Sequence, residues 1–171
     1  TFECRIANQP FIVDIGISTY EKNGKRQMER STMMHNTVYL DHRNSSDVWG
    51  GFRVAHRASA FITKEDENNL IAYHNGYEKA HQRHFNLSDS AFFILDDIHS
   101  KTPVATYHFH PDLDIEKIGY GIKTNIGMIS FEGAKEVVLS EYQYCLGFNK
   151  VIRAKKATVV FENSIKTKIS L

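Results

Sequence analysis

The sequence predicts an all-β protein, an antiparallel β-sandwich in one domain, and three observations support this. Apolar and polar residues alternate with a period of two in short segments along the 171-residue chain, as in strands with one buried face. Turn-forming residues recur at intervals of roughly 8 to 14 residues, which favours a sandwich over alternating strands and helices. Helix signals are weak. The pattern indicates about twelve strands.

The alternating segments are distributed from one end of the chain to the other: FECRI, FIVDI, TVYLD, FRVAHRA, ATYHFHP and ATVVFEN. Turn signals lie between them, in EKNGK, HRNSSD, KEDENN, NLSDS, SKTP and FENS. The segment GAKEVVLSEYQYCLG has some helical character, but its valines and tyrosines favour a strand. One sandwich with polar outer faces follows from this pattern.

Composition excludes several classes of function. Hydrophobic residues make up 42% and charged residues 24% of the chain, as in ordinary globular proteins. The formal net charge is +1, so no bulk field favours nucleic acid or an anionic membrane as partner. No apolar run approaches the ~20 residues of a transmembrane helix.

The chain ends and the cysteines bear on its origin. Thr1 opens a strand-like run, TFECRI, without an initiator methionine or a signal peptide. We therefore expect a fragment of a longer chain, from which a signal peptide could have been lost. Cys4 and Cys145 are interpreted as two buried thiols, with a disulfide as the alternative.

A first candidate site combines Asp14 and His35. Asp14 ends an apolar strand and is followed by Gly16, and a carboxylate buried there needs a partner. A hairpin loop between two strands would bring His35 back beside it. One histidine and one aspartate are fewer ligands than zinc usually takes, so a metal site and a structural polar pair both stay open.

Three further segments carry clustered polar residues. His108 and His110 share a strand face, as in cupin-type metal sites, or they are exposed or stacked imidazoles. The segment AYHNGYEKAHQRHF is either a carbohydrate-binding surface or a hairpin with a solvated Asn75-Gly76 tip. Arg53 and Arg57, which follow Trp49-Gly50-Gly51, either bind an anionic ligand or pair with Asp47 and Glu65.

Together these residues resemble a known family, the heparinase II/III-type polysaccharide lyases, which include related alginate lyases. The resemblance lies in an Asp-x-Gly, a Tyr, Arg-Ser-Thr, His-Asn-Thr-Val and a Trp-Gly-x-Phe-Arg stretch. In this chain these are Asp14 and Gly16, Tyr20, Arg30 to Thr32, His35 to Val38, and Trp49 to Arg53. YHNGYEKAHQRHF, with Asn75 in place of an Asp, FFILDDI and YHFHPDLD extend the similarity over nearly the whole chain.

The resemblance implies a fold and an activity. Members join an N-terminal (α/α) helical toroid to a C-terminal antiparallel β-sandwich of supersandwich type. Residues 1–171 would be that β-sandwich domain, without the toroid. Members cleave acidic, uronic-acid-containing polysaccharides by β-elimination. We expect a bacterial protein, periplasmic or secreted with a cytoplasmic location as the alternative, whose isolated β-sandwich is inactive or nearly so.

The resemblance also implies site residues. Asp14 and His35 would bind zinc, with the third ligand in a His-x-His-x-Asp stretch before Thr1. Arg30 and Asn36 would bind substrate in the cleft, and Tyr20 is the catalytic candidate. Partners would be the acidic polysaccharide and the N-terminal helical domain. The alternatives are a non-catalytic carbohydrate-binding or structural β-sandwich, and a cupin-like metalloenzyme using His108 and His110.

Overall fold

The structure, a computed structural model, describes residues 1–100 and 102–170, and antiparallel strands dominate it. The strands in chain order are β1 (Cys4–Ile6), β2 (Gln9–Ile12), β3 (Val38–Leu40), β4 (Asp47–Trp49), β5 (Arg53–Ala55), β6 (Ala60–Glu65), β7 (Asn69–His74), β8 (His81–Leu87), β9 (Ala91–Asp97), β10 (Pro103–His108), β11 (Ile115–Ile118), β12 (Gly121–Thr124), β13 (Met128–Glu132), β14 (Glu136–Gly147), β15 (Lys150–Val160) and β16 (Ser164–Ser170). Between β2 and β3 lie helix α1 (Gly24–Glu29) and a 3₁₀ turn (Thr32–Met34).

Two large sheets face each other. One has eight strands in the order β11-β12-β13-β16-β9-β8-β7-β6, and the other has four in the order β14-β15-β10-β3. Two hairpins, β1-β2 and β4-β5, form separate two-stranded sheets. The predicted all-β antiparallel sandwich is confirmed, including β14 as a strand. The expected number of strands was too low, because several strands span only three or four residues and show no full alternation.

The main core lies between the two large sheets, and Tyr107 joins them. This residue of β10 is fully buried, its ring lies 5.0 Å from the ring of Phe131 on β13, and its hydroxyl is 2.6 Å from Thr167 Oγ1 on β16. Val159 of the small sheet and Ile165 of the large sheet are buried in the same cluster. Burial of these apolar side chains supplies most of the driving force for packing the two sheets together.

A second, smaller core lies on the outer face of the four-stranded sheet. Ala154 and Tyr142 contribute to it. Ala154 is three residues from Ala157 on β15 and Tyr142 is five from Val137 on β14, both of which face the main core, and an odd separation along a strand places a side chain on the opposite face. Ile15 and Met34 pack onto them from the segment between β2 and β3. This segment is therefore a covering layer over the sheet.

The predicted hairpin loop between Asp14 and His35 contains a helix instead. The side chain of Asn23 caps α1 by accepting a hydrogen bond from the backbone N–H of Arg26 at 3.0 Å. An asparagine followed by glycine is a turn signal, but asparagine is also a preferred helix N-cap, and here the second role decides.

In the segment AYHNGYEKAHQRHF, the side chains of Tyr77, His81 and Arg83 are buried and serve the fold, whereas Asn75 at the hairpin tip is exposed, as the hairpin alternative expects. Arg83 and Asp96 face each other across β8 and β9 and form a two-bonded ion pair, with Nε–Oδ1 at 2.7 Å and Nη2–Oδ2 at 3.0 Å. His81 Nε2 lies 2.7 Å from the same Asp96 Oδ1. Burial would raise the pKa of Asp96, but the Arg83 charge and the hydrogen bonds outweigh it and lower this pKa to about 2.

The cysteines are free thiols, as first interpreted, but both are half-buried rather than buried: neither Cys4 nor Cys145 forms a disulfide, and partial burial raises the pKa of each. Across residues 1–100 and 102–170, every helix is too short or too polar to cross a lipid bilayer.

We predict that Arg83→Met destabilises the fold strongly. The substitution leaves the buried Asp96 carboxylate without its cation, which typically costs about 3–5 kcal/mol. Urea unfolding followed by circular dichroism measures the loss. Arg153→Met is the matched control, because Arg153 is exposed and lies 3.9 Å from the exposed Glu141, so it should change stability by less than about 1 kcal/mol. Equal effects of the two substitutions contradict the prediction.

Candidate functional site

The Asp-x-Gly motif forms a turn that aims one carboxylate oxygen outward. Asp14 Oδ1 accepts a hydrogen bond from the backbone N–H of Gly16 at 3.0 Å. Gly16 has a φ of +75°, and a Cβ there would lie 3.2 Å from Cys145 Cβ, so both backbone conformation and space favour glycine. Asp14 Oδ2 is thereby left available for a second partner.

That partner is His35. The 3₁₀ turn ends at this residue, whose backbone N–H bonds to Thr32 O at 3.2 Å, while its carbonyl accepts from Thr106 Oγ1 at 2.6 Å. His35 Nδ1 lies 2.7 Å from Asp14 Oδ2, and both side chains are about 30% exposed. The predicted convergence of these two residues is confirmed, and their role as metal ligands stays a prediction.

The His35–Asp14 contact holds the carboxylate in its charged form. Burial would raise the pKa of Asp14, but the hydrogen bonds from His35 and Gly16 outweigh it, so this pKa is lowered. The ring geometry leaves His35 Nε2, the nitrogen opposite Nδ1, without a hydrogen bond to any described residue. A carboxylate that orients an imidazole in this way raises its basicity as a metal ligand or a proton acceptor.

Asn36 lies beneath the pair, and the structure corrects its predicted role in substrate binding. Its side chain is fully buried and uses all four hydrogen-bonding positions. Nδ2 donates to Phe2 O and Val13 O, both at 2.9 Å, and Oδ1 accepts from His108 N at 2.8 Å and His108 Nδ1 at 3.1 Å. Its carbonyl accepts from Arg83 Nη1 at 2.8 Å. Asn36 therefore braces the site from within.

A pocket of about 470 Å³ opens over the Asp14–His35 pair, and Arg30 lines it. Ser45 and His74 are also among its lining residues. Arg30 donates to Trp49 O at 3.2 Å and to Arg53 O at 3.0 Å, and it forms no ion pair with any described carboxylate. Its charge is therefore available to an anionic ligand, as the predicted substrate-binding role requires.

His74 also lines the pocket, but its two ring nitrogens are already engaged. Nδ1 accepts from the backbone N–H of Gly76 at 3.2 Å, so the ring proton lies on Nε2, which is 3.1 Å from His81 Nδ1. His81 then carries its proton on Nε2, facing Asp96. Burial, followed by the charges of His81 and other nearby cations, lowers the pKa of His74 to about 4. His74 is thus a neutral wall of the pocket.

Tyr20 lies outside this pocket. It is 55% exposed, its ring contacts Phe52 and Phe148, and its hydroxyl makes no hydrogen bond to a described residue. The structure does not bring Tyr20 together with Asp14 and His35. Its catalytic role stays a prediction that this position does not support.

His108 and His110 lie against tyrosines on β14. Their rings contact Tyr142 and Tyr144 edge-on, with centroids 4.8 and 5.6 Å apart, which fits the stacked alternative. His108 is fully buried, and its Nε2 has no hydrogen-bond partner among the described residues. Burial first, and then the charge of Lys156, lowers the pKa of His108 to about 3. In the described part of the chain no group of three His, Cys, Asp or Glu side chains forms a metal site, so a cupin-like centre has no support.

Comparison with known proteins agrees with this architecture. The family described as "Heparinase II/III-like, C-terminal" matches residues 1–170. This chain belongs to that family. A search of curated proteins returns no significant match.

Solved structures share the fold of this heparinase II/III-like domain. Heparan sulfate lyase HepC from Pedobacter heparinus superposes with a TM-score of 0.77 at 20% identity, over 99% of this chain and 30% of that one. A mutant of the same lyase gives a TM-score of 0.75 at 19% identity, with the same coverage. A heparinase III with methylated lysines gives 0.73 at 18% identity, over 95% of this chain and 28% of that one. The domain thus spans less than a third of the length of these proteins.

The sequence interpretation missed the buried ion-pair network under the heparinase II/III-like site. A signal was present: in HQRHF, His81 and Arg83 share a strand face with Phe85, which indicates a buried face. Asp96 gave no such signal, because only the register of β8 against β9 places it opposite Arg83.

We predict that the stability of this domain falls as the pH drops from about 7.5 to about 5. The folded-state pKa values of His74, about 4, and His108, about 3, lie below the ordinary 6.5. The unfolded chain therefore takes up protons first, and each histidine can contribute up to about 1.4 kcal/mol per pH unit below the ordinary pKa. Urea unfolding at the two pH values measures the change. The window lies above the carboxylate range, so carboxylates contribute little.

Substitution of one of the two histidines tests its share of this pH dependence. His108→Gln should reduce the slope of the free energy of unfolding against pH, because it removes a group that the unfolded chain protonates first. A stability that is flat or rises as the pH falls through this window contradicts the prediction.

Proposed function

We propose that this chain is the β-sandwich part of a polysaccharide lyase that cleaves uronic-acid-containing glycans by β-elimination, with the Asp14–His35 pocket as its contribution to the cleft. The observation that carries the proposal is the 2.7 Å contact between Asp14 and His35 at a pocket that also holds the unpaired Arg30. Membership of the heparinase II/III-like family supports it.

The reaction sets clear demands on such a pocket. A base removes the proton at C5 of the uronate, the bond from C4 to the glycosidic oxygen breaks as a double bond forms between C4 and C5, and an acid protonates the leaving oxygen. The C5 proton is only weakly acidic until the charge of the neighbouring carboxylate is neutralised. A guanidinium can neutralise the carboxylate through two parallel hydrogen bonds. The guanidinium of Arg30 lies at the pocket wall and is the candidate for this role.

We assign binding and positioning to this chain, and proton transfer mainly to an N-terminal helical domain. The related lyases are more than three times as long as the matched region, which is consistent with such a partner domain. Without it, the β-sandwich holds Arg30 and the Asp14–His35 pair, and none of the described residues that line this pocket is a tyrosine. The isolated chain is therefore expected to be inactive or nearly so. Because such polysaccharides are extracellular, we place the protein in the periplasm or outside the cell.

We further propose that Asp14 and His35 hold a zinc ion. A carboxylate oxygen and an imidazole nitrogen are both ordinary zinc ligands, and Asp14 Oδ2 and His35 Nδ1 lie 2.7 Å apart, close enough for one ion to replace the hydrogen bond between them. The described residues supply only two ligands where zinc usually takes three or four, so the remainder would come from the segment preceding Thr1. When bound, zinc would add positive charge beside the acidic substrate.

We predict that His35→Ala and Asp14→Asn weaken zinc binding by more than about 100-fold, because loss of a direct ligand costs at least as much as loss of a supporting partner, about 10–100-fold. Isothermal titration with zinc, on a protein that includes the segment preceding Thr1, measures the affinity. His56→Ala is the matched control, since His56 Nδ1 and Asp47 Oδ2 form a similar pair, 2.6 Å apart, on the exposed surface. Equal losses for His35→Ala and His56→Ala, or zinc binding unaffected by both, contradict the metal assignment.

The reaction itself is tested on the protein that includes the helical domain. We predict that it releases unsaturated products from uronic-acid polysaccharides, seen as ultraviolet absorbance, and that Arg30→Gln lowers the rate by about 10²–10³-fold, as does loss of other charge-stabilising groups. Absence of product from every uronic-acid polysaccharide favours the non-catalytic carbohydrate-binding alternative.

A further inference from the structure

Three exposed aromatic rings form one cluster near helix α1. The ring of Tyr20 lies 6.1 Å from that of Phe52 and 6.5 Å from that of Phe148, with interplanar angles of only 10° and 17°. Phe52 and Phe148 are each 62% exposed. Aromatic side chains this exposed usually belong to an interaction site when they occur together.

The cluster is assembled by side chains of α1 on the β4–β5 hairpin. Arg26 donates from Nε to Gly51 O at 3.3 Å, and its guanidinium lies 5.6 Å from the Tyr20 ring centroid and 5.7 Å from that of Phe52. Gln27 bonds to Val48 O on the same hairpin. Gly51, with a φ of +80°, turns the hairpin so that Phe52 reaches Tyr20. The rings are therefore held in place before any ligand arrives.

Three cationic residues lie beneath the rings or next to them in the chain. The buried Arg26 lies under Tyr20 and Phe52, the Lys22 side chain runs beside Gly51, and Arg53 follows Phe52 in the sequence. None of the three forms an ion pair with a described carboxylate, and the nearby Asp47 pairs with His56. The alternative that Arg53 pairs with Asp47 or Glu65 is thus not what the structure shows. A surface of aromatic rings and free cations is complementary to an acidic ligand with apolar faces.

The cluster adjoins the Asp14–His35 pocket. Arg26 and Arg30 are four residues apart, at one helical turn, and so project from the same side of the chain between Tyr20 and the pocket. Both donate to backbone carbonyls of the β4–β5 hairpin. The rise between them is about 6 Å, so a linear glycan of two or three sugars could lie across both.

We propose that the Tyr20–Phe52–Phe148 cluster is a second contact surface for the acidic polysaccharide, next to the pocket. This inference rests on the proposed function. Ring faces would pack on the C–H faces of pyranose rings, and Lys22 and Arg53 would bind carboxylate or sulfate groups. Tyr20 then acts in substrate binding. A protein partner is the less suitable occupant, because burying Lys22 and Arg53 at a protein interface without matching acids is costly.

Binding of heparan sulfate and of alginate to the 171-residue chain tests the proposal, with neutral dextran as the negative probe. Tyr20→Ala and Phe148→Ala should each weaken binding about 30-fold, the loss from which an interface residue counts as a hot spot. Tyr120→Ala is the matched control, because Tyr120 is an equally exposed tyrosine, at 56%, in the β11–β12 turn. Binding should also weaken as salt is added, since cations contribute to it.

Three outcomes overturn the proposal: no binding of either acidic polysaccharide, equal effects of Tyr20→Ala and Tyr120→Ala, or an altered oligomeric state of the Tyr20 variant with unchanged glycan affinity.

Measurements of zinc affinity distinguish failure of the cluster proposal from failure of the metal assignment. If His35→Ala abolishes zinc binding while Tyr20→Ala leaves glycan affinity intact, the metal assignment stands and the cluster is not a binding surface. If Tyr20→Ala weakens glycan binding but zinc never binds, the cluster stands and the metal assignment fails.

Discussion

The side chain of Asn36 is the constraint on which the rest of the site depends. It joins the chain before β1, the end of β2 and the end of β10, and its own carbonyl is held by Arg83. A buried amide with every donor and acceptor engaged admits one orientation only, and an unsatisfied position there costs about 1–3 kcal/mol. The residue before it is His35, so the geometry of the candidate ligand is fixed by the interior of the sandwich.

The charge in this interior comes from Arg83 and Asp96, and it is balanced locally. Because the two side chains form parallel hydrogen bonds across β8 and β9, the pair tolerates burial that neither group would tolerate alone. His81 extends the pair to His74 at the pocket wall. The side chains of His74, His81 and Arg83 are therefore engaged within the protein, whereas His35 Nε2 and the charge of Arg30 stay available to a ligand.

Much of the fold could be predicted from the sequence, because alternation and turn signals are local. The Asp-x-Gly turn and the pairing of Asp14 with His35 were also predictable. The prediction that Asn36 lines the cleft was wrong. A polar residue next to a candidate ligand is expected to be exposed, and only its hydrogen-bond partners show that it is buried. Those partners lie up to 72 residues away in the chain. The cap of α1 by Asn23 was missed because the same dipeptide also forms turns.

The central proposal is that His35 is the nitrogen ligand of a metal, while His74, His81 and His108 serve the fold. Nitrogen-15 spectra of the imidazole rings, recorded with and without zinc, measure this most directly. We expect the ring resonances of His35 to shift on addition of zinc and those of His74, His81 and His108 to stay in place. Shifts at the latter rings with His35 unchanged contradict the account, as does the absence of any shift.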